Sequence, residues 1–292
     1  MKKSRIGRRD FLKAAAGFAL GGLSFAPRGF AEDRSRVVLV RNAEVLLPTG
    51  EINAPVVRAM LDAAVQAVTS QKDPAAGWSR LVSKSDVVGV KSNAWQPLST
   101  PRELEEAIVD RVTEVGVARE NIAVDDRGAI SNPVFKRATA FINIRPIRTH
   151  HWAGAGTCLK NYIMFVRLPW TYHPNACSDL GKIWTRDGRR QKTKLNILVA
   201  LTPQFFGRGA HSFDRRYVWP YRGLIAGTDP VAVDTVGAEL LRKKRIAFFG
   251  EDRDLDTQPI HIHAADKKYH LGVSDLSRID LVRVGPMEDA LL

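Results

Sequence analysis

Short apolar segments that do not alternate with polar residues restrict the fold of this chain more than any other feature. Val37–Val40, Asp86–Lys91 ("DVVGVK"), Ile122–Asp125 and Leu195–Leu201 read as such strands, and Ile142–Ile147 and Ile279–Val284, which include polar residues, read as further strands. A strand wetted on one face alternates apolar and polar residues, whereas a strand without alternation is covered on both faces, as in parallel sheets. The intervening segments carry a different period. Val56, Val57, Met60, Leu61, Ala64, Val65 and Val68 recur at three and four residues, which predicts a helix opened by Asn53 and Pro55. Leu104, Ala107, Ile108, Val112 and Val115 predict a second, with Thr100-Pro101-Arg102-Glu103 as a capping box and Gly116 as its end. Thr228-Asp229-Pro230 opens a third that runs to about Arg242. Strands alternating with helices predict an α/β fold: a mostly parallel sheet with helices on both faces. His150 to Lys194 breaks the pattern, being rich in Trp, Tyr, His and Gly, and reads as an irregular insertion over one face of the sheet.

The first 31 residues are set apart from that domain. Arg8-Arg9-Asp10-Phe11-Leu12-Lys13 precedes an apolar run, Ala14–Phe25, about half the length of the roughly 20 residues that a membrane span needs. A cationic start, a short apolar centre and the small-residue end Gly29-Phe30-Ala31 form the layout of an export signal. The arginine pair with its Phe-Leu-Lys tail resembles the twin-arginine signal, with Gly7 where Ser or Thr is usual. The expectation is a signal peptide over residues 1–31, cleaved after Ala31, and a single α/β domain over 32–292. The implied partner during export is the twin-arginine translocase, the implied location the periplasm, and no stable membrane span remains after cleavage.

Charge limits the partners. The chain carries +13 over 292 residues, and residues 1–31 hold seven Lys/Arg against Asp10, so +7 remains for the rest. The basic clusters, Arg186 to Lys194 and Arg242 to Arg245, read as a solvated loop and a helix C-terminus. Aromatic residues do not interleave with them, which argues against nucleic acid. Cys158 and Cys177 are the two cysteines. Export permits a disulfide, and spacing alone does not decide whether they pair. The close-spaced cysteines of an iron–sulfur cluster are absent, so no intrinsic cluster is expected.

In open α/β sheets, ligands gather at the carboxyl ends of strands. That rule selects Lys91 and Asn93 after one strand, and Asp125, Asp126 and Arg127 after the next. The same acidic pair also suits a turn or a salt bridge with Arg127. His150 or His151 with Asp125 would make a mixed nitrogen–oxygen metal site, so a divalent metal is an option, with Asp125 and Asp126 as its carboxylate ligands. The following "GAGTCLKN" brings Lys160 and Asn161 after a glycine turn that allows close backbone approach to an anion. His261 and His263 share a face if they lie on a strand. His173 and Cys177 are four apart, although Pro174 argues against a helix there, and His211 follows a flexible "GRGA". Asp229 suits a helix cap; Asp234 lies inside the helix, where capping does not explain it, and is a candidate ligand or base. Gly-x-Ser-x-Gly, His-Glu-x-x-His, phosphate-loop and dinucleotide-binding glycine motifs do not occur.

Taken together, "DVVGVKSN", "STPRELEEAIVDRVTEVGVARENIAVDDR", "CLKNYI", "GTDPVAVDTVGAELL" and "HLGVSDLSRIDLVRVG" resemble the domain-of-unknown-function 362 family. Members of that family often carry a ferredoxin-like iron–sulfur module. The resemblance here is to an exported branch without one. Thr202 stands where the family often has an acidic residue. The family has no established activity, so the resemblance bears on fold and site location more than on reaction. The residues therefore suggest a small-molecule enzyme, open to redox or metal assistance. Lys91, Asn93, Asn161 and Arg127 would bind an anionic substrate, and His150, His151, Lys160 and Asp234 would carry the chemistry. A ligand-binding or cofactor-carrier protein with the same cleft is the alternative. A perturbed lysine or histidine inside the cleft favours the enzyme.

Overall fold

The computed structural model describes residues 34–292, with the side chains at 210 and 211, and so that of His211, outside the description. The expected signal peptide, residues 1–31, lies outside the described residues as well. Strand β1 (Ser35–Arg41) turns Val37 and Leu39 to one face of the sheet and Val38 and Val40 to the other, and all four are buried. This is the two-sided burial that non-alternating strands predict.

Along the chain come β1, helices α1 (Ala54–Thr69) and α2 (Pro74–Leu81), strand β2 (Val88–Lys91), helix α3 (Arg102–Glu114) and strand β3 (Ile122–Asp125). There follow the short helix α4 (Pro133–Arg137), strands β4 (Ala140–His150) and β5 (Gly154–Gly156), and the helical turn α5 (Cys158–Asn161). The last part holds β6 (Thr193–Gln204), β7 (Gly223–Gly227), α6 (Pro230–Phe249), α7 (Ile260–Lys267) and β8 (Ile279–Val284). The strand order is β3-β2-β4-β6-β7-β1-β8, with β5 paired to β4. Four of the seven pairings are parallel; β7 runs antiparallel to both β6 and β1, and β5 antiparallel to β4.

Helices α1, α2 and α3 cover one face through Val57, Leu61, Val65, Trp78, Leu104 and Ile108. Helix α6 covers the other through Ala232, Val233, Val236 and Leu240. The insertion packs its own core, where Tyr162 stacks on Trp184 at 4.0 Å between ring centroids and Phe141 and Phe165 meet edge-on. Between β5 and β6 it is a chain of short helical turns, as its lack of periodicity implies.

Several local expectations change. Helix α6 runs to Phe249 and stops at Gly250, whose φ of 80° suits a residue without a side chain. Arg242–Arg245 is therefore helix body, tied by Arg242 to Glu239 and by Arg245 to Asp252, rather than a C-terminus. Helix α3 starts at Arg102 without a side-chain cap, because the Thr100 hydroxyl accepts the Asn93 N–H instead. His261 and His263 lie on α7; two residues apart on a helix they take different faces, His261 buried and His263 exposed. Cys158 and Cys177 are both buried and free. Strand β7, "GLIAG", is too short and glycine-bounded to register as a strand by pattern, yet it fills the middle of the sheet. No helix among the described residues is long and apolar enough to cross a membrane.

Candidate functional site

A cavity of about 250 Å³ opens where the ends of β2 and β4 meet the insertion. Its inner wall carries three cations, Arg145 and Arg148 from β4 and Lys160 from α5, with His150, Asn93 and Asn161 beside them. Its outer wall is apolar and aromatic: Trp95, Trp152, Ile163, Met164, Pro169 and Trp170, with His173. Among the described residues no carboxylate lines it.

Strand β4 explains why two arginines three residues apart reach one space. In an unbroken strand they would point to opposite faces. The pairing of β4 with β6 slips between Pro146 and Arg148, at a proline that has no N–H to give the ladder. Arg148 donates to Leu98 O at 2.9 Å and Asn93 Oδ1 at 3.0 Å. Burial pushes its guanidinium down to about 9. Burial also lowers Arg145, which makes no hydrogen bond or ion pair to any described residue and whose Nε has no partner.

Lys160 is 3 % exposed and donates to the Cys177 thiol at 3.8 Å; burial pushes its ammonium down to about 8. His150 accepts the Trp152 N–H on Nδ1 at 3.2 Å, which leaves the ring proton on Nε2. Burial, and then the charges of Lys160 and Arg145, hold its imidazole far below the usual range, so it is neutral. His151 lies outside the cavity wall, its ring parallel to that of His150 at 5.1 Å.

Beneath this wall the remaining sequence candidates form its support. Lys91 is fully buried and bridges Asp126 at 2.5 Å, and Asp126 also accepts the Ala94 N–H at 2.8 Å. Burial pushes Lys91 down to about 8 against the opposing pull of Asp126. Asn161 donates to Lys91 O, Asn143 Oδ1 and Ile144 O, and accepts from Asn93 Nδ2 at 3.3 Å. Asn143 continues to Asn196, so amides lock β2, β4, β6 and α5 together. Asp234 is fully buried and does not line the cavity. It accepts the N–H groups of Cys158 and Leu159, each at 2.8 Å, and so holds the turn that carries Lys160 and Asn161. The expectation of a base or ligand thus meets a side chain engaged with the backbone of that turn. Burial pushes its carboxyl up to about 7.

The metal expectation does not fit these side chains. Asp125 accepts the Gly128 N–H and Asn132 Nδ2, each at 2.9 Å, and closes a turn. Asp126 is committed to Lys91, and Arg127 lies over the Trp95 ring at 4.7 Å rather than pairing with either carboxylate. Among the described residues no group of three or more His, Cys, Asp or Glu is placed to hold a metal ion.

The structure thus brings Asn93, His150, Lys160 and Asn161 to one cavity, puts Lys91 and Asp126 behind it, and leaves His151, Asp125, Arg127 and Asp234 out of its wall. A strand ending at Ile147 leaves Arg148 outside it, and Arg145, although inside that strand, belongs to no motif or strand end that marks it as a site residue. The available signal is two arginines within a strand buried along its whole length, where charge is rare unless paired. An α/β sheet with a cationic cavity at its strand ends defines the class of protein. Residues 105–239 match the family model described as Domain of unknown function (DUF362), so the resemblance noted from the motifs holds across that stretch. No curated protein and no solved structure matches the chain.

Proposed function

We propose that this chain is an exported periplasmic enzyme of small-molecule chemistry that takes an anionic substrate into the cavity over Arg145, Arg148 and Lys160. The observation that carries the reading is the convergence of three buried cations with no carboxylate in the wall. Such a wall attracts an anion and stabilises negative charge that grows during a reaction in a water-poor site. Lys160, depressed to about 8, exchanges a proton near physiological pH, and the Nε2–H of neutral His150 is a hydrogen-bond donor. Perturbed groups of this kind favour turnover over simple carriage. The arginine pair Arg8-Arg9 with its Phe-Leu-Lys tail supports the exported part of this reading.

Calorimetric titration of the full chain with a panel of small organic acids tests the site. At least one acid is expected to bind, and Lys160→Met to weaken it ten- to a hundredfold, as loss of a charged hydrogen bond of about 1.5–3 kcal/mol requires. Affinity should fall as pH rises through about 8, because Lys160 keeps its charge below that value and loses it above. No binding by any acid, or binding indifferent to Lys160→Met, would overturn the site. Export is tested by cell fractionation: replacing Arg8 and Arg9 by Lys should leave the protein in the cytoplasm.

A further inference from the structure

We infer that the ligand of this cavity is amphipathic: a carboxylate or phosphate head seated on Arg145, with a flat apolar body about one ring in size against Ile163, Met164, Pro169 and Trp170. The inference rests on the reading of the cavity as an anion site and specifies what that anion is.

Arg145 provides the head-group end. It is 4 % exposed, and Arg148 beside it already spends donors on Leu98 and Asn93, whereas among the described residues the Arg145 side chain has no hydrogen-bond acceptor and its Nε is unpaired. A buried charge without a partner is costly, so a fold that keeps one supplies the partner from outside. The guanidinium also has built-in room. A Cβ at Gly156 would lie 2.9 Å from its terminal nitrogen, so the glycine lets the fork lie against the β5 backbone. The planar edge of a guanidinium matches two oxygens of a carboxylate or phosphate at once.

The opposite wall excludes a bare inorganic ion as the fitted ligand. Ile163 is buried, Trp170 is 64 % exposed at the mouth, and Met164 and Pro169 join them. Such groups gain nothing from a hydrated ion but stabilise an apolar body at about 25 cal/mol per Å² removed from water. A cavity of about 250 Å³ that is open at its mouth has room for a body of about one ring beside the head group.

Titration of the full chain, read by calorimetry, with phenylacetate, phenyl phosphate, acetate, inorganic phosphate and 2-phenylethanol separates the ends of the ligand. Phenylacetate or phenyl phosphate should bind at least tenfold tighter than acetate or inorganic phosphate, and at least tenfold tighter than the alcohol. Which of the two binds better identifies the head group. Arg145→Gln should abolish the preference over the alcohol, and Met164→Ser should narrow the preference over acetate. Where Arg145→Gln does not fold, Arg145→Lys serves, since it keeps the charge but loses the fork and should lose most of the head-group preference. Equal binding of acetate and phenylacetate overturns the amphipathic ligand while leaving the anion site intact. Equal binding of the alcohol overturns both, as does no binding by any probe. An unchanged preference in both Arg145 variants overturns the seat at Arg145.

Discussion

Asp126→Ala is expected to destabilise the protein by about 3–5 kcal/mol, because it leaves the fully buried Lys91 without the carboxylate it bridges, with only Ser92 O and Asn161 Oδ1 as acceptors. For a domain of this size that corresponds to a fall in Tm of roughly 10 °C or more. Asp126 also satisfies the Ala94 N–H, so its loss loosens the chain just after β2. The pair as a whole carries far less than its breakage costs. Lys91→Met combined with Asp126→Leu should recover most of the lost stability, since apolar groups of similar volume replace buried ion pairs with little penalty. The pH dependence has a definite sign. Lys91 titrates at about 8 in the fold, below the ordinary lysine value of 10.5, so its burial penalty is complete below about 8 and is relieved as pH rises towards 10.5. The deficit of Asp126→Ala in chemical denaturation should accordingly be larger at about pH 7 than at about pH 9.5. A deficit under about 1 kcal/mol at neutral pH would show that the bridge is dispensable to the fold.

How much of this was legible in the sequence differs from one layer to the next. The sheet and its two helical faces follow from local period, since burial on both sides of β1, β2 and β6 leaves its mark in the central residues of those strands. Strand β7 escaped because five residues bounded by glycines carry no period, and only pairing with β6 and β1 makes them a strand. In the site, strand-end position marked Lys91 and Asn93, and the family motif marked Lys160 and Asn161. What the sequence withheld is pairing across distance. Asp126 and Lys91 are 35 residues apart, and Asp234 and Cys158 are 76 apart. Nothing local states that a carboxylate inside α6 will hold another segment's N–H groups, as Asp234 holds those of Cys158 and Leu159. Asp229 was readable because its partners, the N–H groups of Val231 and Ala232, lie two and three residues on. Thr100 shows the converse: a capping pattern was present, but Asn93 claimed the hydroxyl. Arg145 and Arg148 depended on a slip in pairing at Pro146, which no periodicity reports.

Asp234→Ala should be as damaging as loss of Asp126, and its effect should reach the cavity. The carboxylate is the acceptor for two N–H groups whose residues, Cys158 and Leu159, are fully buried. Each stranded donor costs about 1–3 kcal/mol, so a loss of about 2–6 kcal/mol is expected, partly offset because burial already pushes this carboxyl up to about 7. That offset also has a sign: the cost of burying the ionised group is complete above about 7 and shrinks as pH falls towards 3.8, so the wild type should hold its stability on mild acidification better than its other carboxylates alone would predict. Asp234→Asn separates shape from acceptance. It fills the same space and keeps one oxygen for one N–H, but turns an amide donor towards the other, so it should recover part of the stability and none of the full anchoring. Lys160 and Asn161 sit on the turn that this contact holds, one on the cavity wall and one at the amide hub that joins β2 to β4. Freed at its start, the turn would let the Lys160 ammonium move towards water and regain an ordinary lysine titration. The measurement is the pH at which anion affinity declines. It should shift upward from about 8 in the folded Asp234→Asn protein, with weaker binding at neutral pH, whereas a purely structural loss would lower Tm and leave that midpoint in place.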